Sequence, residues 1–282
     1  MFDESAGGAV DSELPLRVYR PVKRRIRLSE LVTTLSVARM IGIRDIKAKY
    51  KQAALGPLWL MIGPLGMLLA VTVAFYGVTQ VNTAPVPYVV FALTGLIVWT
   101  YVQLSTTLGA VSIINNGGLV RRSPIPRIAL ISGSLLGNLP PFAVMLVTTL
   151  VAAGIAGRLT LNVLVVPVLV AWLFVFSMFL SMILGALAAR FRDVVSILPL
   201  IIQAGIFVSP VGYSLHGAPE NIHTLLVLNP VSGLIEAWRW AVLDMPNTEL
   251  TAIAVAVAWT VALTLAGWRI FGRLEVSFAD FV

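Results

Sequence analysis

Long apolar runs without acids or lysines alternate along this chain with short polar, basic or glycine- and proline-rich segments. The runs fall near residues 57–80, 88–113, 128–155, 161–189, 194–213 and 250–271. Each is about 20 residues or longer, enough for a helix to cross roughly 30 Å of hydrocarbon, whereas core helices of soluble domains seldom hold so long an uncharged stretch. The pattern predicts an all-α integral membrane protein with six transmembrane helices. An even number of crossings places both termini on one side.

Two segments break the simple alternation. Between the fifth and sixth runs, residues 222–228 and 231–243 are short apolar pieces separated by Asn229 and Pro230. Neither is long enough to span, and Asn-Pro favours a turn. Two short re-entrant helices over about 219–243, dipping back from the outer face, are one reading; an amphipathic pair lying on that face is the other. Between the second and third runs lies NNGGLVRRSPIPR, residues 115–127, whose glycines and prolines bracket a basic piece. It reads either as a plain charged turn or as a docking element.

Ahead of the first run the chain is polar or amphipathic. Residues 1–27 place acids before a cluster of arginines and lysine with little to bury, and read as a disordered basic arm. The remaining domain, 28–282, begins with an amphipathic helix over 29–53. On a helical wheel Leu28, Val32, Leu35, Gly42, Ile43, Ile46 and Tyr50 form one stripe, with Arg44, Lys47 and Lys51 beside it. That is the pattern of a helix lying in the membrane interface. It is either an anchor or a lever joined to the first crossing. The first apolar run starts late and is too long for a signal peptide, so the amino terminus is expected to remain and to be cytoplasmic.

Composition agrees with a membrane chain: 58% of the 282 residues are hydrophobic and 12% charged, against roughly a quarter charged in soluble domains. The net charge of +7 invites a nucleic-acid partner until the basic residues are sorted by side. Eighteen of the 20 Lys and Arg fall on the side of the termini, and only Arg158 and Arg239 on the other. This positive-inside asymmetry orients the chain in the inner (plasma) membrane, both termini cytoplasmic, and explains the charge without nucleic acid. The chain has no cysteine, which excludes disulfides, thiolate nucleophiles and cysteine-zinc sites.

Candidate chemistry is sparse. The six runs contain no Asp, Glu or Lys, and their one Arg is Arg269 at the end of the last. Ion-coupled transporters keep ionisable groups at membrane depth, and membrane enzymes need acid, base or metal ligands; both classes are disfavoured. His216, Glu220 and His223 share the outer loop without metal-ligand spacing, so no catalytic or metal residue is assigned. No GxxxxGK[ST] phosphate loop occurs, so ATP energy would have to come from a partner. The polar groups within the runs are neutral. Tyr76 shares a face with Thr72 and Thr79, and Gln103 with Thr100 and Thr107. With Trp99, Tyr101, Trp172, Phe176 and Gln203 they are candidates for a conduit suited to uncharged sugars or polyols. Helix packing and interface anchoring are the competing roles.

At this point the chain resembles a known family, the type-2 ABC exporter permeases that move lipid-linked polysaccharides such as O-antigen, teichoic acid and galactan. The marks are RDIKAKYKQAALGPLWLMIGPL, NNGGLVRRSPIPR, FRDVVSILPLIIQAGIFVSPVGY, LNPVSGLIEAWRWAVL and the terminal FGRLEVSFADFV, in this order, covering nearly everything after Leu28. The resemblance implies a homodimer of six-span permeases carrying two copies of a separate cytoplasmic ABC ATPase. ATP and Mg would sit on that partner and no cofactor on this chain. It implies that residues 29–53 form the interface helix, with Arg44, Asp45, Lys47, Tyr50 and Lys51 as coupling candidates. Residues 115–127 would hold a coupling helix with Arg121, Arg122 and Arg127, near the short loop bearing Arg192 and Asp193. The paired short helices would be an outer gate, with Asn229, Pro230, Glu236 and Arg239. The cargo would be a lipid-diphosphate-linked polysaccharide, with membrane lipids as further partners. A type-2 permease for drugs or small lipids, a membrane enzyme of glycan assembly and a passive channel are the alternatives.

Overall fold

The computed structural model describes residues 28–50, 59–78, 80–81, 83–122, 125–245 and 247–274, and every regular element among them is helical. In order these are α1 (Leu28–Tyr50), α2 (Trp59–Val71), α3 (Tyr88–Asn115), α4 (Gly117–Arg122), α5 (Arg127–Leu136), α6 (Leu139–Ile155), α7 (Val166–Arg190), α8 (Asp193–Ala204), α9 (Glu220–Leu228), α10 (Pro230–Leu243) and α11 (Leu250–Leu274). The basic arm, residues 1–27, lies outside the described residues.

Among the described residues four helical stretches are long and apolar enough to cross a membrane: Tyr88–Asn115, Arg127–Ile155, Leu161–Arg190 and Leu250–Ile270. Two shorter apolar stretches, Ile62–Gly77 and Asp193–Val208, occupy the first and fifth runs. The local chemistry accounts for their interruptions. Prolines 140 and 141 have no N–H to continue the ladder from α5, so the third run breaks at Gly137 and Asn138 into α5 and α6. The fifth run was expected to stay helical to about residue 213, but helix ends at Val208. Ser209, with φ −111° and ψ 141°, is pushed out of the helical region by Pro210. After Val71 the first run widens into a π-helical turn, Thr72–Val78.

α3 is the central helix. In its most apolar window 78% of residues are buried, against 28–33% in the other three long stretches. Small residues let its neighbours approach: a Cβ at Gly185 of α7 would lie 3.0 Å from the Ala110 carbonyl oxygen, and one at Gly109 2.6 Å from Ser181 Oγ. α10 completes the core at the opposite end. All its residues from Val231 to Arg239 are buried, and Trp238 sets its ring edge-on against Phe142 of α6 at 5.9 Å. α9, in contrast, leaves Ile222, Leu225 and Leu228 exposed. The Asn229-Pro230 break predicted between two short helices is present, with the Asn229 side chain accepting from the Val231 N–H at 3.0 Å as an N-cap.

Candidate functional site

α1 presents three faces. Ala38, Ile41 and Gly42 are buried against α5, where a Cβ at Gly133 would meet Ile41 Cβ at 2.8 Å and the Ala38 carbonyl oxygen at 2.9 Å. Gly42 in turn sits against Gly133 and Leu136. The apolar stripe expected from the wheel is a different face: Val32, Leu35 and Ile43 are exposed, and among the described side chains of that stripe only Gly42 is buried. The third face carries Arg44 and Lys47, both exposed. Close packing therefore uses Ala38, Gly42 and Gly133 with Ile41 set among them, and leaves Val32, Leu35 and Ile43 outward, which hydrocarbon would tolerate and water would not.

Two charged side chains tie this helix to its surroundings. Arg44 donates to Asp45 Oδ1 at 2.8 Å and to Asn116 Oδ1, just beyond the end of α3, at 2.9 Å. Lys49 donates to Asn138 Oδ1 at 2.9 Å. Asn138 is 1% exposed and stands at the α5–α6 break. Lys49 as a residue is exposed, but partial desolvation beside Asn138 holds its ammonium below its ordinary pKa, with nearby Asp45 opposing the shift. Lys49 was not singled out from the sequence. The available signal was its place on the helical face of Ala38, Gly42 and Asp45, the face of small and short residues.

The other coupling candidates lie at the same end of the bundle. Arg127 is half-buried at the start of α5, and Arg192, ahead of α8, and Asp193, its first residue, are exposed. Arg121 and Arg122 close the short helix α4, which follows α3 directly. Their side chains and that of Tyr50 lie outside the described ones, and Lys51 lies outside the described residues.

At the opposite end Arg239 organises the chain after α8. Its guanidinium donates to the carbonyl oxygens of Pro210 at 2.6 Å, Val211 at 3.1 Å and Tyr213 at 3.3 Å, and to Glu236 Oε1 at 3.3 Å. The neighbouring groups reinforce this hold. Tyr88 donates to the Gly212 carbonyl at 2.9 Å, and Asn229 Nδ2 reaches Ser209 Oγ and the Val208 carbonyl, both at 3.0 Å. The four gate candidates thus act together: Asn229 and Arg239 fix the segment 208–213, Glu236 balances the buried cation, and Pro230 opens α10. Segments far apart in the chain are held here by charge-assisted bonds, roughly twice as strong as neutral ones. In the loop before α9, His216 Nε2 stands 3.8 Å from Glu249 Oε2.

The conduit candidates divide by exposure. Trp99, Tyr101 and Phe176 are enclosed in the core of this one chain. Trp99 fills the space below Gly205, and Tyr101 meets Phe142 edge-on at 5.0 Å. Trp172 and Gln103 are half-buried, Trp172 donating to Thr260 Oγ1 at 2.8 Å. Tyr76 and Gln203 are exposed. Tyr76 stacks on Tyr88 at 5.2 Å beside a groove of about 740 Å³ bordered by Gln80, Thr83 and Pro85. A second, largely apolar crevice of about 380 Å³ lies between α3, α7 and α8, with Asp193 and Thr106 among its lining residues.

A profile of the ABC-2 type transporter family matches residues 37–243. The chain is 26% identical over 263 residues to the O-antigen export system permease protein RfbA of Klebsiella pneumoniae, covering 92% of this chain and 98% of that one. It is 27% identical over 246 residues to the RfbA protein of Myxococcus xanthus, covering 84% and 92% respectively. To the polysialic acid transport protein KpsM of Escherichia coli it is 24% identical over 237 residues, 83% of this chain and 91% of the relative. The profile runs from the docked face of α1 to the last residue of α10, and so takes in both anchored ends of the bundle; the chain belongs to the ABC-2 type transporter family.

Proposed function

We propose that this chain is the transmembrane permease subunit of an ATP-driven exporter that moves a lipid-linked polysaccharide across the inner or plasma membrane. The observation that carries the reading is near full-length similarity to relatives named for O-antigen export and polysialic acid transport. The exposed Arg44 and Lys47 face of α1 supports it, because a docked helix with an unburied cationic face suits a cytoplasmic partner.

In this reading the two shorter apolar helices, Ile62–Gly77 and Asp193–Val208, complete six crossings with the four longer ones, and both termini are cytoplasmic. Two copies of the chain form the permease and two ATPase subunits supply ATP and Mg chemistry. ATP binding draws the ATPase subunits together, α1 and α4 follow, and the helices α9 and α10 part at the outer face. Arg44, Lys47 and the rim arginines meet the ATPase or the lipid diphosphate. The exposed Tyr76 and Gln203, with the partly open Gln103 and Trp172, are the lining residues within reach of a polymer. Trp99, Tyr101 and Phe176 support that lining from behind.

Co-purification tests the reading: the tagged chain should bring down an ABC ATPase, and depletion should make one lipid-linked glycan accumulate in the cytoplasm. An intact glycan surface after depletion would refute it. The apolar crevice between α3, α7 and α8 favours a second reading, a permease for a small lipid or drug. Resistance or lipid-flip assays with no glycan phenotype would select that one.

A further inference from the structure

The contacts that bind α1 to the transmembrane helices differ in what they transmit. The seam of Ala38, Ile41 and Gly42 against Gly133 resists separation by close apolar packing, which is non-directional. Helices packed in this way shift by shear. The Arg44 bond to Asn116 is exposed, and the same guanidinium is shared with adjacent Asp45. Water replaces such a contact at little cost.

The Lys49 bond to Asn138 is of another kind. A charged donor meets an amide that is 99% withdrawn from solvent, so breaking the bond strands a buried acceptor. The amide is also placed to pass on a displacement. Its Nδ2 points to Ser105 Oγ of α3 at 3.5 Å, and the Ser105 carbonyl oxygen accepts from Ser181 Oγ of α7 at 3.2 Å. Asn138 stands between α5 and α6, immediately before Leu139, Pro140 and Pro141, where the helix ladder lacks two N–H donors. A break of this kind is a natural pivot.

We propose that Lys49 is a positioning residue through which movement of α1 turns the α5–α6 break, with Asn138 as the receiving group that carries the turn to α3 and α7. The inference rests on reading α1 as the interface helix of an ATP-driven permease. It assigns the transmitting role to Lys49, which is itself exposed but bonded to the buried Asn138 and shares the helical face of Ala38 and Gly42, while Arg44 and Lys47 lie on the face that meets the partner.

The test uses Lys49→Met, Asn138→Leu and the double variant in the full permease co-purified with its ATPase and reconstituted in lipid vesicles. One readout, which needs no transport, is amide hydrogen exchange at Asn138, Leu139, Phe142 and Ala143, the residues of the break that carry an N–H. Lys49→Met should speed exchange there by about tenfold, and the double variant should add little to either single. The other is ATP-driven export. It should fall at least about tenfold in each single variant while ATP hydrolysis changes by less than about threefold, with partial recovery in Lys49→Arg. Unchanged exchange in Lys49→Met, wild-type export in that variant, or losses that multiply in the double variant would each overturn the proposal. If the wild-type complex exports no glycan, the functional reading fails by itself; exchange then still decides whether Lys49 governs the break.

Discussion

The guanidinium of Arg239 lies 3.6 Å from the centroid of the Phe91 ring, joining α10 to α3 by a cation over an aromatic face. The same group holds three carbonyls of the segment leaving α8 and pairs with Glu236. One buried side chain thus sets how α3, α8 and α10 meet. Its planar fork of donors suits several carbonyls at once, which an ammonium does not reproduce.

Removing this cation alone should be costly. Arg239→Met strands Glu236 and three carbonyls, and about 3–5 kcal/mol of stability should be lost. Arg239→Lys should fall between wild type and Met. Adding Glu236→Leu to Arg239→Met should recover part of the loss, because no unpaired charge then remains. Unfolding of the purified protein in detergent measures all three; equal stability of Arg239→Met and wild type would contradict the role given to the guanidinium.

The seam between α1 and α5 can be locked. A Cβ at Gly137 would lie 3.5 Å from Asp45 Cβ, within the range a disulfide requires. The chain has no native cysteine to compete. Asp45→Cys with Gly137→Cys should therefore cross-link under mild oxidation, block export, and regain it on reduction. Gly133→Leu, which wedges a side chain into Ile41, should prevent the cross-link and cost about 1–3 kcal/mol. Gel mobility of a protease-nicked chain reports the bond.

Charge reversal tests the outward face of α1. Arg44→Glu with Lys47→Glu leaves the buried seam intact, so the protein should still reach the membrane in normal amount. Co-purification of an ATPase should fall by tenfold or more, since like charges across an interface oppose association. Full retention of the partner would remove this face from the coupling surface.

Exposure divides the conduit candidates into two groups. Tyr76→Ala should lower export with stability nearly unchanged, because Tyr76 is exposed. Phe176→Ala empties a site that is 1% exposed and should destabilise the protein by about 3–5 kcal/mol. Measuring export at matched folded protein distinguishes the two. A stability loss in Tyr76→Ala as large as that in Phe176→Ala would place Tyr76 with the core.

Much of the helical layout was legible because it depends on the local chain. Apolar run lengths anticipated the helices, and Pro230 after Asn229 marked the turn between α9 and α10. The early end of the fifth run at Val208 and the split at Asn138 were also within reach, since Pro210, Pro140 and Pro141 act on their immediate neighbours. The candidate site was less legible. Trp99, Tyr101 and Phe176 look the same in sequence as Tyr76, yet the structure encloses the first three and exposes the last.

The reason lies in the solvent. In water an apolar stripe must be buried, so hydropathy names the inner face of a helix; in lipid it need not be. Hydropathy and loop charge therefore established a multi-helix membrane chain with a basic end and a cationic helix leading into it. They left open which face of that helix docks. Folding chose the face of Ala38, Ile41 and Gly42 over that of Val32, Leu35 and Ile43, because Gly133, Gly42 and Ala38 permit close approach and leave room for Ile41. It also brought Lys49 to an amide 89 positions away and Arg239 to carbonyls 26 to 29 positions back. No periodicity encodes such separations; they exist only once the helices have packed.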